Sequence, residues 1–357
     1  RQCFVGKELL DFLQKQYGIS SRDEAVQAAG KLQKHGLFSP VDASGSLGTA
    51  NFERLLLRFQ CHEVGLWRGL NIKRLWNPPA GPVPGEGEKP VMLLARLNSM
   101  LNKAIHDTHS SSGLDYIAAA EAPAFEQFET SVCELQTVEL AKMEPQARMA
   151  FVINLYNMVV KHGNMVLGFP QTAGQVLAFF NGVRYNIGGH MYSLHEMESG
   201  ILRNNAKPPY HLKKAFGPSD PRLAVVVPLD YRIHFVLNCG TKSCAAIQAF
   251  SGENLDSELE LAAATWVNGN VSVDLEKKTL TLSEICKWYA EDFGKTLEER
   301  ARTLAKHANP EQAVQLKRLL LTKFRVKYAP YDWSGLASRS RKFSNTAYHS
   351  MITTRKP

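Results

Sequence analysis

The sequence predicts a mixed α+β protein of two units, a small helical one followed by a larger one, and three observations carry that reading. Residues 77–90, NPPAGPVPGEGEKP, hold five prolines and three glycines in fourteen positions, so no regular element persists there. Helical periodicity dominates before this run. After it, helix-period and strand-period segments alternate as far as Ser334. The expected divisions are a small domain at 1–62, a linker at 63–90, a larger domain at 91–334 and a basic tail at 335–357.

In the first unit, a helix is expected from Lys7 to Gln16, and Ser20-Ser21 caps a second with apolar Ala25, Ala28, Ala29 and Leu32 before a terminating Gly36. Two short strands follow. The segments CFVGKELLDFL, SRDEAVQAAGKLQKHGLF and FERLLLRF, in that order, resemble a DEP domain, a small helix-rich adaptor fold with a β-arm. The start at Arg1 without methionine predicts a fragment that lacks the N-terminal helix of that domain.

The second unit begins with helical patterns over Val91–Thr108, Pro123–Lys142 and Pro145–Gly163. The last is apolar on nearly every face yet carries Asn154 and Asn157, three apart and so on one face, where buried amides would brace a neighbouring loop. A hairpin is expected over Arg184–Tyr192, then a helix over Leu194–Arg203. A strand over Arg232–Leu237 ends in an Asn238-Cys239-Gly240 turn, and Ser243 caps a short helix from Cys244 to about Phe250. A helix over Leu255–Asn268, the hairpin VSVDLEKKTLTL, and helices over Ser283–Phe293 and Pro310–Lys323 complete the set.

With 44% apolar and 21% charged residues in 357, the chain is ordinary globular material. No run of about eighteen apolar residues predicts a membrane span. The six cysteines are few and scattered, which fits reduced thiols in a cytoplasmic, at most membrane-peripheral, protein, although Cys239 and Cys244 could pair under oxidation. The net charge of +8 is spread along the chain. Its densest basic stretch, after Ala337, reads as a solvated, mobile end, and nothing resembles a nucleic-acid-binding signature.

The richest chemistry lies in PLDYRIHFVLNCGTKSCAAIQA, residues 228–249, where one histidine, one asparagine and two cysteines fall within eleven residues. Any one of these is commonly an ordinary core group; their density points to a site. A cysteine acyl-transfer centre needs a thiolate, a base, a group orienting the base, and oxyanion donors. The expected set is Cys239 or Cys244 as nucleophile, His234 as base, Glu198 or Asp230 as orienting carboxylate, and Asn238 with backbone amides near Gly240 as donors. Cys244 is preferred because a helix N-terminus would favour its thiolate. Asn154, Asn157, Arg203 and Ser243 are expected in support, with Arg203 and Glu198 alternatively forming a surface pair. Asp292 is expected to have a specific partner without a catalytic role, and Tyr331-Asp332-Trp333 reads as a packing corner.

The motifs FVINLYNMVVKHG, YNIGGHMYSLHEMESGILR, DYRIHFVLNCGTKSCAAI, LSEICKWYAEDFG and YAPYDWS, in that order, resemble the domain of unknown function 547 family. That resemblance implies a papain-like or transglutaminase-like cysteine-enzyme fold, with the central histidine and cysteines as catalytic candidates. Ala245 stands where the family usually has proline, and Ser199 where a histidine or asparagine is common. The expected activity is a cysteine-dependent hydrolase or acyl transferase acting on a peptide, a protein, or a small amide or thioester, without cofactor or metal. The DEP-like unit would dock it on an anionic membrane or a receptor tail. Two other readings stand beside this one: a zinc site from His234, Cys239, Cys244 and Asp230, and a non-catalytic signalling scaffold that binds a peptide or membrane partner.

Overall fold

The computed structural model describes residues 3–34, 38–40, 52–59, 69–72, 88–109, 113–209, 213–244 and 246–344. In the first unit β1 (Phe4–Val5) runs into α1 (Gly6–Tyr17), which ends where Gly18 takes a left-handed φ of 67°. The Ser21 hydroxyl accepts from the Glu24 N–H at 3.1 Å and opens α2 (Arg22–Lys34). Two further strands, β2 (Phe38–Pro40) and β3 (Leu56–Phe59), complete an antiparallel sheet of order β1-β3-β2. Leu9, Leu10, Leu13, Ala25, Ala29, Phe38, Phe52 and Leu57 form its own core. The expected terminator Gly36 lies outside the described residues.

The expected linker is only partly a linker. Residues 60–68 and 73–87 lie outside the described residues, but Leu70, Asn71 and Ile72 are buried against the larger unit. The Asn71 amide matches one peptide group: its Nδ2 donates to the Asn186 carbonyl at 2.7 Å and its Oδ1 accepts from the Asn186 N–H at 2.7 Å. Gln136 Nε2 donates to the Asn71 carbonyl at 2.6 Å. The two amide side chains thus satisfy backbone groups of Asn186 and Asn71 that would otherwise be buried unpaired.

The larger unit starts with α3 (Pro90–His106), α4 (Tyr116–Glu121) and α5 (Pro123–Ser131), then short 3₁₀ turns at Val132–Thr137 and Leu140–Lys142. These surround α6 (Pro145–Leu167), of whose 23 residues seventeen are buried, so the helix is the axis of the domain. Next come α7 (Ala173–Gly182) and the hairpin of β4 (Arg184–Ile187) and β5 (His190–Ser193), turned at Gly188-Gly189. The helix expected over Leu194–Arg203 is a π-helix, Glu196–Leu202, in which the Arg203 N–H reaches the Glu198 carbonyl at 2.9 Å and the Asn205 N–H reaches Gly200 at 3.0 Å.

The strand expected at Arg232–Leu237 is instead a 3₁₀ turn, Tyr231–Phe235, opened by the Asp230 carboxylate accepting from the Arg232 N–H at 2.9 Å. Three residues per turn send successive side chains about 120° apart. Ile233 therefore enters the core around α6, while Phe235 enters a second core with Trp266, Leu282 and Phe293. The second core lies between α8 (Leu255–Asn270), α9 (Ile285–Trp288), α10 (Ala290–Phe293), α11 (Leu297–Ala305), α12 (Pro310–Leu320) and a three-stranded sheet. In that sheet β6 (Ser272–Asp274) pairs antiparallel with β7 (Thr279–Ser283), and β7 pairs parallel with β8 (Arg325–Ala329). His234 projects at the seam between the two cores.

The basic tail is docked over its first ten residues. Phe343 is buried against Phe179, the Leu336 N–H donates to the Gly240 carbonyl at 3.1 Å, and Arg339 pairs with Asp115 at 3.0 Å. One aromatic anchor outweighs the solvation of the neighbouring charges. Residues 345–357 lie outside the described residues.

Candidate functional site

Two asparagines of α6 hold the cysteine segment at both ends. Asn157 Nδ2 donates to the Val236 carbonyl at 3.0 Å, and its Oδ1 accepts from the Asn238 N–H at 2.8 Å. Asn154 does the same for Phe250, at 2.7 and 3.0 Å. Between these braces, Asn238 Oδ1 accepts from the Gly240 N–H at 2.7 Å and shapes a tight turn. Gly240 sits at φ 86°, and a Cβ there would stand 2.6 Å from Asn164 Nδ2, so the position requires glycine. Asn157→Ala leaves a buried N–H and a buried carbonyl unpaired and is expected to cost about 1–3 kcal/mol, read as a shift in the urea midpoint at unchanged slope.

The turn brings two sulfurs together: Cys239 Sγ lies 3.1 Å from Cys244 Sγ. Around them the Thr241 hydroxyl stands at 3.4 and 3.2 Å, and the Tyr331 hydroxyl at 3.3 Å from each. The Cys239 backbone N–H also points at Cys244 Sγ, at 3.2 Å. The pair shares its protons unequally. The Cys239 thiol donates to Cys244 and, with Thr241 and Tyr331, holds the Cys244 thiol well below its ordinary range against the effect of burial. Cys239 is pushed up by that same bond and by burial.

His234 is 5% exposed; its Nε2 lies 2.7 Å from Asp292 Oδ2, and its ring stacks on Tyr289 at 4.0 Å and 23°. Asp292 in turn accepts from Arg203 Nε at 2.6 Å and Nη2 at 2.9 Å, a bidentate pair with both side chains buried. Burial alone would raise the Asp292 pKa, but the bonds from His234 and Arg203 outweigh it and hold the carboxyl at about 2. A folded pKa below the unfolded value contributes stability that is present above about pH 4 and is lost as pH falls through 2. Acid unfolding should therefore steepen in that window by about 2 kcal/mol relative to Asp292→Asn, as measured by denaturant titration at successive pH values.

His234 and Cys239 line one cavity of about 620 Å³, together with Tyr156, Glu198, Tyr289 and Tyr331. Its remaining wall is largely apolar, with Val176, Leu177 and Phe180 from α7 on one side and Trp288 and Trp333 on the other. Among the described residues no lysine or arginine lines it. Cys244 instead lines a separate cavity of about 320 Å³ beside Ser243, Ala262 and Trp266, so the sulfur pair stands between two openings.

Residues 1–58 match the family described as the domain found in Dishevelled, Egl-10, and Pleckstrin (DEP), and residues 140–267 match the protein family of unknown function DUF547. The chain carries a DEP domain followed by a DUF547 domain. Searches of curated proteins and of solved structures returned no match. The DUF547 match takes in both cysteines, His234, Glu198, Arg203 and the bracing asparagines, but it ends before Tyr289, Asp292 and Tyr331.

Several expected roles within and beyond the DUF547 match are redistributed. Asp230 does not orient His234; it caps its own 3₁₀ turn and pairs with Arg232 at 2.7 Å. Glu198 does not orient it directly either. Its carboxylate accepts from Tyr289 at 2.5 Å and from Tyr156 at 3.3 Å, fixing the ring on which His234 stacks. The orienting carboxylate is Asp292, read from sequence as a partnered but non-catalytic residue. Arg203, read alternatively as half of a surface pair with Glu198, is 3% exposed and holds Asp292.

The Gly240 N–H is taken up by Asn238 Oδ1 and so is not free to bind an oxyanion. No helix follows Cys244: residues 246–250 are irregular, Ala245 lies outside the described residues, and the thiolate is favoured by side-chain donors rather than a helix N-terminus. Ser243 caps no helix; its hydroxyl accepts from the Asp332 N–H at 2.8 Å and ties the segment after β8 to the cysteine turn. That tie delivers Tyr331, which also packs against Trp288 and Trp333 as expected, to both sulfurs. Among the described residues no cluster of His, Cys, Asp and Glu could hold a metal ion, and no helix is long and apolar enough to cross a membrane.

Proposed function

We propose that the DUF547 domain is a cysteine-dependent acyl hydrolase or transferase of papain-like or transglutaminase-like chemistry. The observation that carries this is the buried Arg203–Asp292–His234 chain, which ends on the cavity that also exposes Cys239. With His234 Nε2 committed to Asp292, Nδ1 is the ring nitrogen left for proton transfer. Cys239 is the nucleophile, since it lines the cavity with His234. As Cys239 attacks an acyl carbonyl, its proton passes across the 3.1 Å contact to Cys244. The phenol of Tyr331, held protonated by burial and by the neighbouring sulfurs, donates to the developing oxyanion. The imidazolium form of His234 gives its Nδ1 proton to the leaving group. The neutral ring then takes a proton from the water or second nucleophile that attacks the thioester, and Cys239 departs with the proton returned from Cys244.

The lining argues for the substrate class. An apolar, aromatic wall with no lysine or arginine among the described residues suits an acyl or aromatic group carried as a neutral amide or thioester. The DEP domain is assigned docking on an anionic membrane or receptor tail.

The test is trapping with acyl-directed cysteine probes, read by intact mass, on the native chain and on Cys239→Ala, Cys244→Ala and His234→Ala. The adduct should map to Cys239 and vanish in Cys239→Ala; an adduct retained there, or none on folded native protein, removes the enzyme reading and leaves a scaffold. Iodoacetamide labelling of the pair should follow an apparent pKa well below the roughly 8.5 of a free thiol. Labelling at or above that value would show that Thr241 and Tyr331 do not support a thiolate.

A further inference from the structure

The contact that passes a proton between the two sulfurs in acyl transfer also sets them near bonding distance. Cys239 and Cys244 Sγ stand 3.1 Å apart, and a disulfide needs about 2.05 Å. Closing that gap is a movement of about 1 Å, within the reach of small side-chain rotations. The turn between them imposes the approach: the Cys244 N–H donates to the Thr241 carbonyl at 3.1 Å, and Asn238 holds Gly240 on the other side. Both thiols are partly exposed, each facing a different cavity, so a small solute can reach Cys244 without entering the space shared by Cys239 and His234.

We infer that Cys239 and Cys244 form a reversible disulfide when the protein meets hydrogen peroxide, with Cys244 as the sulfur first oxidised and Cys239 as the resolving thiol. In the first step the Cys244 thiolate attacks one peroxide oxygen, the O–O bond breaks, hydroxide leaves, and Cys244 becomes a sulfenic acid. In the second, the Cys239 sulfur attacks the Cys244 sulfur, the S–O bond breaks, and hydroxide takes the Cys239 proton as water. Two thiols lose two electrons in all, and one peroxide becomes two waters. The low-lying Cys244 thiolate and its ready neighbour are the combination that a peroxide-sensitive thiol needs, since a nearby resolving thiol outruns further oxidation to sulfinic acid.

The consequence for acyl transfer rests on the function proposed above: the disulfide removes the thiol that faces His234, and a small thiol reductant restores it. The covalent event itself does not depend on that reading.

Lys242 lies between the two cysteines, so trypsin separates them into peptides 233–242 and 243–277. After peroxide treatment of the full chain, blocking of free thiols and digestion, these peptides should appear joined and lighter by two hydrogens, and dithiothreitol should release them. Iodoacetamide labelling of both residues should be lost in parallel and return on reduction. In Cys239→Ser, Cys244 should instead accumulate as a dimedone-reactive sulfenic acid. Sulfinic acid at either position of the native chain without joined peptides overturns the inference, as does joining of either cysteine to Cys3 or Cys61 in preference to its neighbour. Joined peptides in a chain that never forms an acyl adduct would leave the switch standing and remove the acyl-transfer reading; an acyl adduct without joined peptides would do the reverse.

Discussion

Asp292→Ala should destabilise the DUF547 domain by about 3–5 kcal/mol, a large part of the roughly 5–15 kcal/mol that holds a domain together. Asp292 accepts from Arg203 Nε and Nη2 and is the partner of His234 Nε2. Removing it leaves a buried guanidinium without its counter-charge and an imidazole without its anchor. The expected observation is a fall in the urea midpoint at nearly constant slope. Asp292→Asn separates the two roles: it keeps the volume, loses the charge, and should cost less stability while acylation still drops about 10²- to 10⁴-fold. A midpoint unchanged in Asp292→Ala would mean that the Arg203 pair contributes nothing and that His234 is held by packing alone.

The second large effect is expected at His234. Replacing it with phenylalanine keeps a ring stacked on Tyr289 but removes both nitrogens. Asp292 retains Arg203, so the stability cost should stay near that of one charged hydrogen bond, about 1.5–3 kcal/mol. Acylation should fall about 10²- to 10⁴-fold with the loss of proton transfer to the leaving group. Iodoacetamide labelling of the sulfur pair should keep its pH profile, because the thiolate is supported by Cys239, Thr241 and Tyr331 rather than by the imidazole. A labelling profile that moves to higher pH in His234→Phe would show instead that the thiolate depends on an imidazolium, and the proton route across the two sulfurs would be wrong.

Helices with strong apolar periodicity, above all α6, were legible from residue spacing, and so were the hairpins marked by Gly-Gly or Lys-Lys turns. The capping box of α11, Thr296 with Glu299, was also present in the sequence but fell between two stronger patterns. The segment Arg232–Leu237 misled because β-branched and aromatic residues also suit a 3₁₀ turn whose side chains enter two different cores. Glu198 meets Tyr289 and Tyr156 rather than the imidazole, because a π-turn displaces later side chains from the α-helical direction that local periodicity reports. β8 is not legible locally, because its five residues find their partner only after the crossover through α9 to α12 brings them parallel to β7.

By itself the sequence determined the two units, the concentration of thiols and imidazole in one short segment, and the asparagine pair that could hold it. Tertiary structure alone decided that Asp292 rather than Asp230 meets His234, that Tyr331 meets both sulfurs, and that the first ten residues of the basic tail are docked. Composition and periodicity report what a residue can do for its immediate neighbours along the chain. Asp292 lies 58 positions from His234 and 89 from Arg203, and Tyr331 lies 87 from Cys244. Such pairings are set by how two cores pack across a seam, and burial makes those few contacts strong without leaving a mark in local sequence.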